Sequence, residues 1–355
     1  MSLAAEGLCM PAEWQPHSAT WLSYPLEHPV WQGQLEAARD DMAQLIAVIA
    51  DFEPVVLNVS SDALEADAER RLRARGAAMA NIRLQRLPLD DAWFRDNGPI
   101  FVHNRLGEVV LTDWRFNAWG ETFPHWQHDD AAPAALAELL NLPRYAVPMV
   151  LEGGAIDVNG QGLAVTTASC LRNPNRNPDF SPADICGYLR DYLGVHNLLW
   201  LEAGLVDDHT DGHIDMVARF ANEHTLLCSV ALDDNNPNAA VLANNLRSLE
   251  RSLYDLGIAQ HYKLIPLPLP QKQRHLAGLL LPQSYANFYI GNGFVTLPVY
   301  DDPHDAEAVA ILREHFPGRD VIPVASRGLI VGGGSLHCVT QQQPAPLSPQ
   351  GVRHA

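Results

Sequence analysis

The sequence predicts an α/β fold of five pseudo-repeated ββαβ modules, arranged as the five blades of a propeller within one domain that spans residues 1–355. Three observations predict this fold. Hairpin-like segments recur along the chain, amphipathic helices lie between them, and a short apolar strand follows each helix. Hydrophobic residues make up 47% of the chain and charged residues 19%, which provides enough apolar material for a packed core.

Hairpins form the first part of each module. Four segments begin with a polar or glycine-containing stretch and continue with a short apolar strand, a turn that contains Gly or Asn, and a second strand. They cover residues 95–114, 152–170, 211–230 and 284–300. A fifth segment, 332–344, has only the first half of this pattern. We expect its partner strand in residues 20–25, so that the two ends of the chain pair.

Helices follow the hairpins, because the apolar residues then recur with the period of an α-helix. In residues 239–257, Leu242, Leu249 and Leu253 lie on one face, and Gly257 supplies a C-terminal stop. Further helices are predicted at 35–50, 62–75, 131–141, 182–193 and 305–318. The strands that follow the helices are predicted at 81–87, 144–150, 196–201, 261–267 and 319–325.

The polar loop that opens each hairpin is the expected place for function. If the modules surround one axis, these loops meet at its centre and the helices lie outside. The loop starts are 48 to 73 residues apart, which suits one mixed α/β module, and they fall at Asp96, Glu152, Asp211, Ser284 and Gly332.

Several of these loops carry reactive side chains. Asp96 and Glu152 open the first two loops, His213 and Asp215 lie in the third, and Cys338 lies in the last. Each has a simpler interpretation, because a cysteine is more often a buried small residue, a histidine can be structural, and the acids can cap turns. Their equivalent positions in successive modules favour one shared site instead.

Composition argues against several classes of function. The formal charge of −18 disfavours binding to nucleic acid, which needs clustered Lys and Arg. No apolar run approaches the ~20 residues that span a bilayer, and the N-terminus lacks the pattern of a signal peptide. We therefore expect no membrane partner and a cytoplasmic location. Five widely spaced cysteines without a C-x-x-C motif disfavour a disulfide framework.

No cofactor is predicted. His209 and His213 are spaced H-x-x-x-H with Asp215 nearby, but Gly212 lies between the histidines and the glutamate of the H-E-x-x-H motif is missing. The glycine-rich segment 331–335 lacks the lysine of a P-loop, and no G-x-G-x-x-G motif opens a helix after a strand. We therefore expect neither a metal nor a nucleotide.

A thiol, an imidazole and carboxylates together favour a cationic substrate. Three glycines, Gly332–Gly334, permit the backbone angles of a functional loop and favour Cys338 as a nucleophile. A thiol needs its pKa of ~8.5 lowered, whereas carboxylates raise it unless the substrate brings positive charge. A guanidinium does so, and its planar fork fits paired carboxylates. Attack by Cys338 on the guanidinium carbon, with His213 as acid and then base, would release ammonia and leave an amidino-cysteine for water to hydrolyse.

Ordered motifs extend over nearly the whole chain: WFRDNGP, EGGAIDVNGQG, TDGHIDMVARF, YANFYIGNG and GGGSLHCVTQQQP. In these motifs the sequence resembles agmatine deiminases and their relatives in the guanidine-modifying pentein superfamily. The resemblance implies the five-bladed propeller of that superfamily and a cofactor-free hydrolase of putrescine and polyamine metabolism. The implied reaction converts agmatine and water to N-carbamoylputrescine and ammonia.

The resemblance also implies a role for each reactive residue. Cys338 would be the nucleophile and His213 the general acid and base. Glu152 would orient and polarise His213. Asp96 and Asp215 would bind the guanidinium nitrogens.

Substrate binding is where the sequence departs from the family pattern. Trp93 and Trp119 would line the substrate channel. His209 occupies a binding position, four residues before His213, where agmatine-specific relatives carry an acid that receives the distal ammonium. Three nearby acids could replace it: Asp207, Asp208 and Asp211.

Alternatives therefore remain open. The substrate could be another arginine-derived guanidine, including free or peptidyl arginine. An amidinotransferase, in which an amine resolves the amidino-cysteine, is a second alternative, and a noncatalytic binding protein would not need the full set of reactive residues. The expected partner is a small cationic guanidine. A homo-oligomer is possible, with a dimer favoured.

Overall fold

Helices and strands make up most of residues 7–347, the part of the chain that this computed structural model describes. Residues 1–6 and 348–355 of the predicted domain lie outside the described residues. The longer helices are α1 (Leu35–Ala50), α2 (Asp62–Ala74), α3 (Gln127–Leu140), α4 (Pro182–Leu193), α5 (Ala239–Asp255) and α6 (Asp305–His315). Each coincides with a predicted helix to within a few residues, which confirms these predictions.

Most strands belong to five separate sheets of three or four strands. Four of the sheets have three strands each: β4 (Ile100–His103), β5 (Val109–Arg115) and β6 (Arg144–Val150); β7 (Ile156–Val158), β8 (Leu163–Thr167) and β9 (Asn197–Leu201); β10 (Ala218–Asn222), β11 (Thr225–Val230) and β12 (Lys263–Pro268); β15 (Tyr289–Gly291), β16 (Phe294–Val299) and β17 (Asp320–Ala325). The fifth contains β1 (His17–Ser23), β2 (Val55–Val59), β3 (Ile82–Arg86) and β18 (Thr340–Pro344).

The three-stranded sheets share one topology. The first two strands form an antiparallel hairpin, and the third returns through a helix to lie parallel to the second. This is the predicted ββαβ order. In the remaining sheet β18 pairs antiparallel with β1, so that Leu22 lies opposite Thr340. The expected pairing of the two chain ends is therefore confirmed. None of the described sheets closes on itself, and the arrangement of the five sheets as propeller blades stays a prediction.

Strand β2 and a two-stranded ribbon were not predicted. The sheet that joins the chain ends has an additional strand, β2, which pairs in parallel with both β1 and β3. All five residues of β2 are buried, so its sequence VVLNV shows no alternation and cannot be told from a buried helical segment by period. A two-stranded ribbon, β13 (His275–Leu276) and β14 (Leu279–Leu280), also lies between the third and fourth modules.

Local signals explain where helices begin and end. Helix α4 begins with a capping box, in which Ser181 and Asp184 bond each other's backbone N–H, and Pro182 occupies its first turn. It ends at Gly194, which has φ +70°. Its buried face, which includes Ile185 and Leu189, packs into an apolar core. Among residues 7–347, no helix is both long and apolar enough to cross a bilayer.

The loops that precede the first strands touch one another. The backbone N–H of Gly154 donates to Asp96, and that of Arg95 donates to the carbonyl of Cys338 at 3.2 Å. Asn287 contacts Cys338, so four loops from four sheets meet in one buried region. The fold thereby places residues that are far apart in sequence within hydrogen-bonding distance.

Candidate active site

Cys338 lies at the centre of the buried region where the loops meet. Its Sγ accepts a hydrogen bond from Asn287 Nδ2 at 3.1 Å and lies 3.4 Å from Asp215 Oδ2. Burial raises the pKa of the Cys338 thiol well above its usual value, and the charges of Asp215 and Asp96 raise it further. Without a bound cation, the site therefore favours the neutral thiol.

The three glycines before Cys338 are needed for two different reasons. Gly333 has φ +92°, a conformation that a side chain disfavours, and a Cβ on it would collide with the ring of His209. Gly332 and Gly334 have no positive φ. A Cβ on either would lie 2.6 to 2.7 Å from the indole of Trp93. The expectation of unusual backbone angles thus holds at Gly333, and close packing against Trp93 explains the other two.

Asn287 fixes the nucleophile loop through both ends of its amide. Its Oδ1 accepts from the backbone N–H of His337 at 3.0 Å and of Cys338 at 3.3 Å, and its Nδ2 donates to Sγ. Sequence reasoning placed a loop start at Ser284 in this module but assigned it no reactive residue. Asn287 was therefore missed, although its motif YANFYIGNG had been recognised.

A chain of charges continues from Asp215 into the interior. Asp215 Oδ2 lies 2.8 Å from His337 Nδ1, and His337 Nε2 lies 2.8 Å from Glu13 Oε2. Glu13 also pairs with Arg219 at 3.0 Å. Burial would raise the pKa of Asp215, but the hydrogen bond and charge of His337 outweigh it and lower that pKa. Asp215 is therefore an anion that His337 holds in position.

Asp96 lies in the same buried region. Its Oδ2 accepts from Trp119 Nε1 at 3.0 Å, and its Oδ1 accepts from the backbone N–H of Gly154 at 3.0 Å. Burial raises its pKa to about 6, against the opposing charge of His213. The nearby charges of Asp215 and Glu152 raise it too. The two acids predicted to bind one substrate group thus lie close enough to affect each other electrostatically.

His213 is buried, and its Nδ1 lies 3.7 Å from Asp96 Oδ1. Among residues 7–347, neither ring nitrogen has a hydrogen-bond partner of normal geometry, although the Cys170 thiol lies beside the ring, so the imidazole is available for proton transfer. Burial lowers its pKa, but the charges of Asp96, Cys170 and Glu152 outweigh burial and raise the pKa well above its usual value. The raised pKa favours a protonated imidazole, which can act first as a general acid.

Glu152 lies beside His213, as predicted, but its hydrogen-bond partner is a cation. Its Oε1 accepts from Arg176 Nε at 2.5 Å, while Oε2 is buried and has no hydrogen-bond partner among residues 7–347. Arg176 also pairs with Asp211 Oδ2 at 2.7 Å. No hydrogen bond joins Glu152 to His213 in the described structure, so an orienting role for Glu152 stays a prediction.

One group of donor atoms in the site has the composition of a metal site. A carboxylate oxygen of Glu152, Sγ of Cys170 and a ring nitrogen of His213 all lie within 4.8 Å of one another. Sequence reasoning considered His209, His213 and Asp215 instead. Those three do not form such a group within residues 7–347.

Aromatic rings surround His209 at one side of the site. Its ring meets Trp119 and Phe123 edge to face, with centroids 5.4 Å apart in both pairs. Burial lowers the pKa of His209, which favours a neutral imidazole. Trp93 stacks on Trp31 at 5.5 Å. The predicted binding residues thus stand next to the reactive group, with His209 as part of an aromatic wall.

Trp119 is presented by a left-handed turn. Ala118, Trp119, Gly120 and Glu121 have φ between 50° and 79°. Such a turn costs about 1–2 kcal/mol for each residue with a Cβ, and strain of this kind is typical of functional sites. Asn117 stabilises the turn by accepting from the backbone N–H of Gly120 at 2.9 Å. No local pattern predicts this conformation.

Asp207, Asp208 and Asp211, the three acids near His209, differ in the hydrogen bonds and ion pairs that their carboxylates already make. Asp211 pairs with Arg176, and Asp207 accepts from the backbone N–H of Leu280 at 2.9 Å. Asp208 uses Oδ1 to cap Thr210, but its Oδ2 is buried without a partner. Of the three, Asp208 therefore has a buried carboxylate oxygen without a hydrogen-bond partner among the described residues.

Comparisons with known proteins show the family of this chain. A family model of Porphyromonas-type peptidyl-arginine deiminases matches residues 9–344. The agmatine deiminase of Pseudomonas aeruginosa is 40% identical, over 96% of this chain and 97% of its own. The agmatine deiminase of Enterococcus faecalis superimposes with a TM-score of 0.87 at 30% identity, over 96% of this chain and 97% of that one. A Cys→Ser variant of the C. jejuni agmatine deiminase, with substrate bound, superimposes with a TM-score of 0.85 at 27% identity, over the same shares. The chain therefore belongs to the family of Porphyromonas-type peptidyl-arginine deiminases and agmatine deiminases, within the pentein superfamily.

Proposed function

We propose that this chain hydrolyses agmatine to N-carbamoylputrescine and ammonia through a covalent intermediate on Cys338. The observation that carries the proposal is the convergence of Cys338, His213, Asp96 and Asp215 in one buried region. The family relationship supports the same class of reaction, because the curated relatives are agmatine deiminases, which are hydrolases of C–N bonds in linear amidines.

Substrate charge is the element that the site lacks by itself. Two carboxylates, Asp96 and Asp215, face a thiol whose pKa burial and those charges raise. A guanidinium that pairs with both carboxylates would bring a cation next to Sγ and reverse the electrostatic field there. When the guanidinium is bound, the Cys338 thiol releases its proton to solvent, because His213 already carries one, and the reactive thiolate forms.

The two half-reactions need one acid and one base. The Cys338 thiolate attacks the guanidinium carbon, protonated His213 gives its proton to a departing NH2 group, and ammonia leaves behind an amidino-cysteine. Water then attacks the same carbon, and neutral His213 takes its proton. The C–S bond breaks, the new hydroxyl group loses its proton to solvent as the carbonyl forms, and the ureido product leaves with the thiolate restored. The unpartnered ring nitrogens and raised pKa of His213 support this order, in which it begins protonated.

Selectivity among guanidine substrates depends on the aromatic residues Trp119 and Phe123 that surround His209. A second candidate substrate, free or peptidyl arginine, is favoured by this neutral ring at the position where an acid would receive an ammonium. Kinetics on agmatine, arginine and a peptidyl-arginine decide between them. A much higher kcat/KM on either arginine substrate would contradict agmatine as the substrate.

The covalent mechanism has a direct test. Cys338→Ala should abolish ammonia release and prevent any substrate-derived mass adduct, with an unchanged melting temperature. Cys228→Ala is the matched control, because Cys228 is buried, and its thiol contacts a backbone carbonyl, that of Leu226, instead of a reactive side chain. Normal turnover in Cys338→Ala would rule the mechanism out. Ammonia release without an added amine distinguishes hydrolysis from amidino transfer.

The remaining expectations belong to the same proposal. The five sheets and their shared topology support a five-bladed propeller around the site. We also expect a cytoplasmic enzyme that binds a small guanidine and forms a dimer. Size-exclusion chromatography with light scattering would test the dimer.

A further inference from the structure

Cys170 is a second buried thiol beside the reacting groups, and the proposed mechanism does not use it. It lies in a short helical turn, Ala168–Leu171, where the backbone N–H of Cys170 donates to the side chain of Thr167 at 3.3 Å. The turn follows directly on β8 and holds Cys170 next to His213 and Glu152. A thiol, an imidazole and a carboxylate thus surround one small volume.

The donor atoms at this volume are buried and incompletely bonded. Within the described part of the chain, Glu152 Oε2 and both ring nitrogens of His213 have no hydrogen-bond partner of normal geometry. Glu152, Cys170 and His213 are each at most 1% exposed. A buried polar atom without a partner is unfavourable, so a ligand that satisfied these atoms would gain binding free energy.

The chemistry of the donors selects the ligand. A sulfur, a nitrogen and one oxygen fit Zn²⁺ and similar thiophilic cations, whereas Mg²⁺ and Ca²⁺ prefer oxygen alone. Donors of a tetrahedral Zn²⁺ lie about 3.3–3.8 Å apart, given bonds of about 2.0–2.3 Å. The present separations of up to 4.8 Å therefore require a small contraction of the side chains.

We propose that Glu152, Cys170 and His213 form an inhibitory binding site for a thiophilic divalent cation such as Zn²⁺. A bound ion would occupy the ring nitrogen that His213 needs for proton transfer, and turnover would stop. Arg176 already pairs with Glu152 and repels a cation, so the site binds a metal more weakly than a structural zinc centre. The inhibitory part of this inference rests on the proposed function, whereas the binding part does not.

The binding experiment uses Co²⁺ as a spectroscopic substitute for Zn²⁺ in the Cys338→Ala protein, which removes the competing thiol. We expect a thiolate-to-cobalt charge-transfer absorption that Zn²⁺ displaces. Cys170→Ala in the same background should lose one equivalent of bound metal, whereas Cys228→Ala should not. Cys170→Ser, which keeps the size of the side chain, serves if the alanine variant does not fold.

The inhibition experiment measures agmatine turnover against ZnCl2, with each variant normalised to its own zinc-free rate. Cys170→Ala should raise the half-inhibitory zinc concentration at least about tenfold, because one ligand is lost. Unchanged inhibition, or no cobalt absorption in Cys338→Ala, would overturn the site. If cobalt binds through Cys170 in a protein that does not act on agmatine, the proposed function fails and the metal site stands.

Discussion

Asn287 holds both the sulfur and the backbone of Cys338, although 51 residues separate the two in sequence. Its amide N–H donates to Sγ at 3.1 Å, and its carbonyl oxygen accepts from the backbone N–H of Cys338. Burial and the charges of Asp215 and Asp96 raise the pKa of the thiol, whereas the hydrogen bond from the Asn287 amide lowers it. Asn287 therefore both positions the nucleophile and favours its thiolate.

Replacing this amide by a carboxylate tests its role. Asn287→Asp keeps the acceptor but places a negative charge against Sγ, so the pKa of Cys338 rises further. We expect kcat/KM for agmatine to fall about 10- to 1000-fold, the range expected from a like charge at this distance. Asn245→Asp is the control, because Asn245 is buried and bonds only backbone groups of residues 202 and 203. Equal rates in the two variants would contradict this role for Asn287.

The ionisation of Asp96 should set the acid limb of the pH profile. Its pKa of about 6 means that it is protonated below that pH and loses the charge that binds a guanidinium. The substrate stays charged throughout, so kcat/KM should fall about tenfold per pH unit below pH 6. Asp41 has a similar pKa of about 6 but bonds Gly328 and Leu329 instead. The acid limb of the pH profile should therefore be unchanged in Asp41→Asn. If the acid limb disappears in Asp41→Asn, Asp96 is not its cause.

Trp119 should influence that same limb through its indole N–H. Trp119→Phe removes the hydrogen bond to Asp96, which lowers the pKa of this acid. We expect the acid limb to move to higher pH and kcat/KM to fall about tenfold or more. The matched control is Trp114→Phe, since the indole of buried Trp114 donates to Thr112 at 2.9 Å. A profile of Trp119→Phe that coincides with the wild type would show that the bond has no catalytic role.

Gly333 should tolerate no side chain, for two separable reasons. Gly333→Ala places a Cβ at φ +92° and against the ring of His209. Gly318→Ala has a similar φ of +85° but open space around it, so it should cost only the ~1–2 kcal/mol of the left-handed conformation. Urea denaturation should show a larger loss for Gly333→Ala, and addition of His209→Ala should recover the difference. Equal losses in the two glycine variants would disprove the contact with His209.

The repeating order of elements could be predicted because it depends on local patterns. The period of Leu242, Leu249 and Leu253 predicts α5 without knowledge of its neighbours, and the glycine-containing turns predict the hairpins. Strand β2 was missed for the same reason, because a fully buried strand carries no local period. Equivalent loop positions also predicted that Asp96, Glu152, His213, Asp215 and Cys338 meet.

The sequence by itself determined the modules, the reactive residue types and the family motifs, since each is written in short segments of the chain. Only the tertiary structure decided which atoms face which. It placed Asn287 on the sulfur of Cys338, His337 between two acids, and Cys170 beside His213, none of which a local pattern shows. The physical reason is that pKa values and hydrogen bonds depend on distances of a few ångströms between loops of different sheets, and packing of the whole chain sets those distances.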